Sequence, residues 1–284
     1  MQIFDGQIHL WMPNSPDHPW VPGARNYQGD QFLIEEAIEL FDREGVDGAV
    51  VVTPSWVGTD NSYGIEAAQR FPDRFAVMGR FDYQAEDAED RLTHWKEAPG
   101  MLGIRATVID PVTEPMFRDP ENHWFWERCG TLNIPLMCYP PKNIDILAPV
   151  AQRAKDLRII VDHSGRFAQG PKDDAAWEDL PTLLDLARFD NVAVKVSSLP
   201  SFSTQPFPFE NLHPHIRAIH GAFGSDRMIW GSDVTRLNST YDENIRLFAE
   251  ALDFLSEDDK EKIFARNLTR WCDAKFAPAQ GGAS

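Results

Sequence analysis

The chain has 284 residues, 43% hydrophobic and 25% charged. That is the balance of a globular protein with a sizeable core, and it excludes disordered, collagen-like and disulfide-scaffold classes. Lys and Arg total 27 against 44 Asp and Glu, a net charge of −17, so no basic stripe is available to neutralise phosphates and a nucleic-acid partner is not expected. Cys129, Cys138 and Cys272 form no CxxC pair, which argues against a disulfide framework or a thiolate metal site. The N-terminal residues lack a basic and apolar leader pattern, and no run approaches about 18 apolar residues. The expectation is a cytoplasmic protein with no membrane span.

In chain order, short β-rich runs bounded by polar residues or by Gly and Pro predict strands at 2–9, 46–53, 75–81, 102–107, 134–139, 158–163, 192–197 and 228–233. Helical spacing recurs between them, as in Ile34, Ala37, Ile38 and Phe41 after the first strand and Ile245, Phe248, Ala249 and Leu252 after the last. Such alternation implies a parallel sheet, and the length suits one (β/α)₈ TIM barrel, a fold of about 250 residues plus insertions. Polar residues share one parity of several strands: Asp5, Gln7 and His9 in the first, Lys195 and Ser197 in the seventh. Because successive side chains alternate faces, they point into the barrel or line its mouth. An open doubly wound sheet is the rival fold, but no Gly-rich phosphate turn follows the first strand. Residues 1–276 are expected to form one domain and the small, polar stretch 277–284 a frayed tail.

Three segments after strand ends are long, 11–29, 164–179 and 199–214, and they carry Trp11, Trp20, Phe167, Trp177, Phe202, Phe207 and Phe209. In a barrel these loops build the active-site face, so a partly aromatic pocket is expected; the alternative is that the rings only seal the barrel top. His9, His163 and Asp233 fall at the C-terminal ends of strands one, six and eight. Ring closure makes strands one and eight neighbours, which brings the three together at the mouth. A carboxylate beside imidazoles can act as general base toward water, and an imidazole can polarise a carbonyl; the competing assignment is a pair of structural histidines with satisfied hydrogen bonds. Lys195 faces inward and needs a carboxylate, Asp5 or another interior acid, because an unpaired buried ammonium costs several kcal/mol. No GxSxG elbow or Walker loop occurs, which removes serine-nucleophile and NTPase readings.

The motifs Asp5-Gly6-Gln7-Ile8-His9-Leu10-Trp11, Gly58-Thr59-Asp60-Asn61-Ser62-Tyr63, Gly103-Ile104-Arg105, Asp162-His163-Ser164-Gly165-Arg166, Val194-Lys195-Val196-Ser197 and Trp230-Gly231-Ser232-Asp233 together resemble the amidohydrolase-related proteins, in the branch containing 2-pyrone-4,6-dicarboxylate lactonase and sugar-acid lactonases. The resemblance implies a TIM barrel acting on a carboxylated small molecule in aromatic or sugar-acid catabolism. His9 matches the second histidine of the family's first-strand HxH, His163 a later-strand histidine, and Asp233 the last-strand aspartate that activates water. Gln7 departs from the pattern: an amide is a poorer ligand than imidazole for a borderline-soft metal. The expectation is therefore no metal, the alternative being one divalent ion such as zinc held by His9, His163 and Asp233. The resemblance places Arg105 against a substrate carboxylate, which its planar guanidinium fits bidentately; an ion pair with a loop acid is the other assignment. Gln7, Tyr139, Trp11, Trp56, Arg166 and Arg236 complete the substrate-binding candidates. The leading function is a hydrolase opening a lactone or related cyclic ester. The alternatives are a metal-dependent non-oxidative decarboxylase or hydratase and a non-catalytic ligand-binding barrel. A homo-oligomer is left open.

Overall fold

The computed structural model describes residues 1–24, 29–108, 113–167 and 169–276. Eight parallel strands run in ring order: β1 (Phe4–Ile8), β2 (Gly48–Val52), β3 (Phe75–Gly79), β4 (Met101–Thr107), β5 (Leu136–Tyr139), β6 (Ile159–Val161), β7 (Val192–Ser197) and β8 (Met228–Gly231). With helices between them they form a nearly closed TIM barrel. All eight predicted strands are present, most of them shorter at the ends. The trimming matters at β6 and β8, where His163 and Asp233 lie in turns just past the strand rather than on it. The stretch 277–284, expected to fray, lies outside the described residues.

The apolar residues of the predicted helices form the outer core. In the helix Ile34–Glu44, Ile34, Ala37 and Phe41 are buried, and Gly45 ends it with φ 72°, a left-handed conformation that glycine adopts without a Cβ penalty. The second predicted period opens as the helix Tyr241–Arg246 and continues as a π-helical turn, Leu247–Ala251, with Ile245, Phe248 and Leu252 buried. These residues pack against outward strand residues such as Ala49, Val51, Val77 and Val194.

A separate inner core holds Val50, Ala76, Leu102, Ala193 and Ile229, closed from below by Leu268, Trp271 and Cys272 of the helix Asn267–Cys272. A register shift between β3 and β4, from Val77↔Met101 to Met78↔Gly103, lets both Leu102 and Arg105 belong to the interior. The seam between β8 and β1 depends on close backbone approach: a Cβ at Gly6 would lie 2.6 Å from Trp230 O, which only glycine avoids. Across that seam Asp233 N donates to Gln7 O at 2.8 Å. Among the described residues, no helix is long and apolar enough to cross a membrane, and the three cysteines are buried and unbridged.

Candidate active site

Ring closure and the left-handed turns after β6 and β8 bring the expected residues together. His9 Nε2 lies 3.5 Å from Asp233 Oδ1 and His163 Nε2 lies 3.6 Å from Asp233 Oδ2. Each imidazole also uses Nδ1 on the scaffold: His9 contacts Val52 O at 2.7 Å and His163 contacts Ser197 Oγ at 2.8 Å. Both Asp233 oxygens are buried and, among the described residues, have no hydrogen-bond donor in range. Asp233 and His163 adopt left-handed backbone conformations, φ 50° and 52°. Such conformations are uncommon for residues with a Cβ and are a form of strain found at functional sites.

Asp5 holds the Asp233 turn. Its carboxylate accepts from Ser232 N at 2.8 Å, from Gln7 N at 2.9 Å, from Tyr241 Oη at 2.7 Å and from Ser232 Oγ. Burial nevertheless raises its pKa to about 6, against the lowering effect of those donors. Of the partners expected for Lys195, Asp5 or another interior acid, the structure selects Asp162. Lys195 Nζ lies 2.8 Å from Asp162 Oδ1, and Asp162 Oδ2 pairs with Arg105 Nη1 at 3.0 Å. Asp5 is already occupied, whereas Asp162 points inward two residues beyond Ile160.

Burial holds both imidazoles well below the ordinary histidine pKa. For His9, Arg236 adds to burial, the Val52 hydrogen bond opposes it, and Arg105 and Lys195 add further; for His163 the added charges are Arg105, Lys195 and Arg236. Burial raises the Asp233 carboxyl, and Arg236, Arg105 and Lys195 counteract that rise. At neutral pH the imidazoles are uncharged. A carbonyl can only accept, so the His9 proton sits on Nδ1 toward Val52 and Nε2 carries the lone pair. A neutral His9 therefore accepts a proton and cannot donate to a carbonyl, which corrects the polarising role expected of it from sequence.

Above this floor lies a cavity lined by His9, Trp56, Arg80, Arg105, Tyr139 and Arg236 among others. Arg236 Nε is 3.7 Å from Asp233 Oδ2, and the Tyr139 ring stands edge-on to His163 at 5.2 Å. Two of the other binding candidates are placed elsewhere. Trp11 packs edge-on against Trp56 at 5.1 Å and lines a neighbouring cavity with Trp20 and Tyr63. Arg166 ties down the loop after β6, with Nε donating to Ser164 O at 3.0 Å, Nη1 donating to Ala176 O, an ion pair to Asp179, and its guanidinium 5.2 Å from the Trp177 ring centroid. Trp177, Phe202 and Phe209 are part of the outer core, so for them the sealing role holds.

Sequence reasoning missed Arg80, Asp162 and Asn61 as parts of the site. Asn61 accepts from Arg80 N at 2.8 Å and from Thr53 Oγ1 at 2.7 Å, and it donates to Arg80 O at 3.0 Å. It thereby fixes the ends of β2 and β3, while Arg80 Nη1 donates to Thr107 Oγ1 at 2.9 Å. The available signal was position: Arg80 follows the last residue of a strand, as Arg105 lies near the end of one.

The three residues that would hold a divalent ion fit it poorly. Among the described residues no group of three or more His, Cys, Asp or Glu side chains is arranged to hold a metal ion. Gln7 turns its amide nitrogen toward His9 Nε2, at 3.4 Å, and its oxygen toward Lys195 Nζ, at 2.5 Å, so it offers N–H and no lone pair to that space. The charges of Arg236, Arg105 and Lys195 all act on the Asp233 carboxyl there.

Residues 4–271 match the amidohydrolase family. The chain is an enzyme of that family. An L-fucono-1,5-lactonase from Burkholderia ambifaria is 26% identical to this amidohydrolase over 270 residues, covering 93% of this chain and 92% of the relative. A 4-sulfomuconolactone hydrolase from Rhizobium radiobacter is 27% identical over 237 residues, covering 81% and 74%. In three dimensions, a probable 2-pyrone-4,6-dicarboxylic acid hydrolase from Acinetobacter baumannii, solved with citric acid bound, superposes with a TM-score of 0.78 at 20% identity, covering 96% of this chain and 100% of that one; this likeness is one of fold.

Proposed function

We propose that this amidohydrolase opens a lactone, or a related cyclic ester, of a carboxylated small molecule, with Asp233 as the base and no metal ion. The observation that carries the reading is the Asp233 carboxylate: buried, without a hydrogen-bond donor among the described residues, and set between two neutral imidazoles. Two relatives act on lactones, as their names state, which supports the reaction class.

In this reading water lies between Asp233 and the substrate carbonyl. Asp233 takes a proton as the water oxygen bonds to the carbonyl carbon, beside an uncharged His9. The oxyanion is met by N–H donors at the floor: Arg236 and, with the Ser197 hydroxyl donating to Nδ1, His163 through Nε2–H. The tetrahedral intermediate collapses by breaking the ring C–O bond, and the proton held by Asp233 passes to the departing oxygen. Arg105 holds the substrate carboxylate with its planar guanidinium. Proton transfer contributes typically 10²–10⁴-fold and a donor to the oxyanion about 10²–10³-fold. Asp5, through Ser232 and Gln7, keeps the Asp233 turn in place.

Each turnover at neutral pH creates one ionised carboxylic acid, so a panel of lactones read by proton release tests the proposal. Carboxylated lactones should be opened in preference to their neutral counterparts. Inactivity across the panel, with ligands still binding, would move the protein to the non-catalytic class.

A further inference from the structure

Lys195 is fully buried, and the reaction above gives it no task. Its ammonium lies 2.5 Å from Gln7 Oε1 and 3.2 Å from Gly6 O, and it pairs with Asp162 at 2.8 Å. An ammonium has donors only, so the Gln7 oxygen must face it and the amide N–H₂ must face away. On that other side stands His9 Nε2, at 3.4 Å, with His9 Nδ1 against Val52 O at 2.7 Å. We infer that Lys195 is a positioning residue: by holding the Gln7 oxygen it presents an amide N–H to the His9 Nε2 lone pair and so, together with the Val52 carbonyl at Nδ1, holds His9 in the uncharged Nδ1–H form beside Asp233.

The chain of contacts runs from Arg105 through Asp162, Lys195 and Gln7 to His9, all inside the barrel. Each link has one consistent polarity. Arg105 and Lys195 are ion-paired with Asp162, Lys195 donates to Gln7, and Gln7 donates to His9. Turning the amide over would set N–H₂ against ammonium and oxygen against a lone pair, two mismatches at once, so the ammonium decides the orientation. The replacement of the family's first histidine by Gln7 then has a positive content. The position becomes a hydrogen-bond donor governed from β7.

The inference rests on the proposed function only for the effect on kcat; the protonation of His9 can be read without turnover. The experiment is a long-range ¹H–¹⁵N correlation spectrum of the full chain labelled at histidine, at neutral pH, with the His9 signals assigned by their loss in His9→Gln. The wild type should show His9 Nε2 unprotonated. Gln7→Glu keeps the Lys195 partner but turns an oxygen toward His9, and Nε2 should then carry a proton. Lys195→Met frees the Gln7 amide to turn its oxygen toward His9, so a fraction of His9 should carry a proton on Nε2 as well as Nδ1, and kcat should fall about 10- to 100-fold with KM nearly unchanged, as expected when only positioning for the transition state is lost. A protonated Nε2 in the wild type, or a His9 unaltered in Gln7→Glu, overturns the inference whether or not Lys195→Met folds. The predicted His9 protonation in a protein that opens no lactone would refute the function and leave the positioning role standing.

Discussion

The two ends of the barrel interior are built from the same strand faces and have opposite chemistry. At the bottom, Val50, Leu102, Ile160, Ala193 and Ile229 meet Leu268, Trp271 and Cys272 in an apolar plug. A few residues further along those faces the side chains are Arg105, Asp162, Lys195, Ser197 and Asp233, all buried. The lower layer removes apolar surface from water and stabilises the fold; the upper layer gives up that gain to hold charges, an unsatisfied carboxylate and left-handed turns. One scaffold supplies rigidity at one end and reactivity at the other, the division expected where stability and activity compete.

Mutations should separate the two layers. The largest effect is expected for Asp233→Asn, which preserves shape and should lower kcat by about 10³- to 10⁴-fold with the circular dichroism spectrum unchanged; an active variant would remove Asp233 from the chemistry. Arg105→Met should raise KM for a carboxylated lactone by about 10- to 100-fold and alter a neutral one far less, since the guanidinium acts on the carboxylate. At the other end, Trp271→Ala should cost about 3–5 kcal/mol in urea unfolding while kcat per folded molecule stays near wild type. If its stability cost came with a matching loss of kcat, the layers would not be separable.

Acid should distinguish the layers too. The proposed reaction needs an ionised Asp233 and uncharged imidazoles, and burial moves these groups in opposite directions, the carboxyl up from 3.8 and the imidazoles well down from 6.5. The imidazoles should therefore put no limb at 6.5 in the kcat/KM profile, and its acid limb should be that of Asp233, above the ordinary carboxylate value of 3.8. Asp5 gives a smaller, separate signal in stability. With its folded pKa raised to about 6 from 3.8, the folded state holds a proton that the unfolded chain releases. Its contribution is largest below the unfolded value and is lost as pH rises through that window. Compared with Asp5→Asn, the wild type should gain relative stability on acidification from neutral to about pH 4, by about 1–3 kcal/mol.

Periodicity sufficed for the barrel and for the inward placement of Lys195, and position at strand ends together with ring closure sufficed for the meeting of His9, His163 and Asp233. Neither revealed depth or partner. Asp5 and Asp162 both face inward, and only the backbone donors crowding Asp5 at the β8–β1 seam show why Lys195 pairs with Asp162 instead. Arg166 and Arg236 follow site residues in the same way, yet one secures a loop and the other reaches the cavity, because a turn's direction depends on tertiary packing that adjacent sequence does not specify. Trp11 stands one ring behind Trp56 for the same reason. Asn61 lay in a motif noted in the sequence, but its role became visible only with the ends of β2 and β3 side by side.

The central claim is that Asp233 activates water in a site whose charges and amide donor take the place of a metal. Initial rates of ring opening by the enzyme, measured after exhaustive chelation and again after adding zinc or manganese, test it most directly. The account predicts the same rate in both conditions, with chelated enzyme fully active. Activity lost on chelation and restored by the added ion would contradict it.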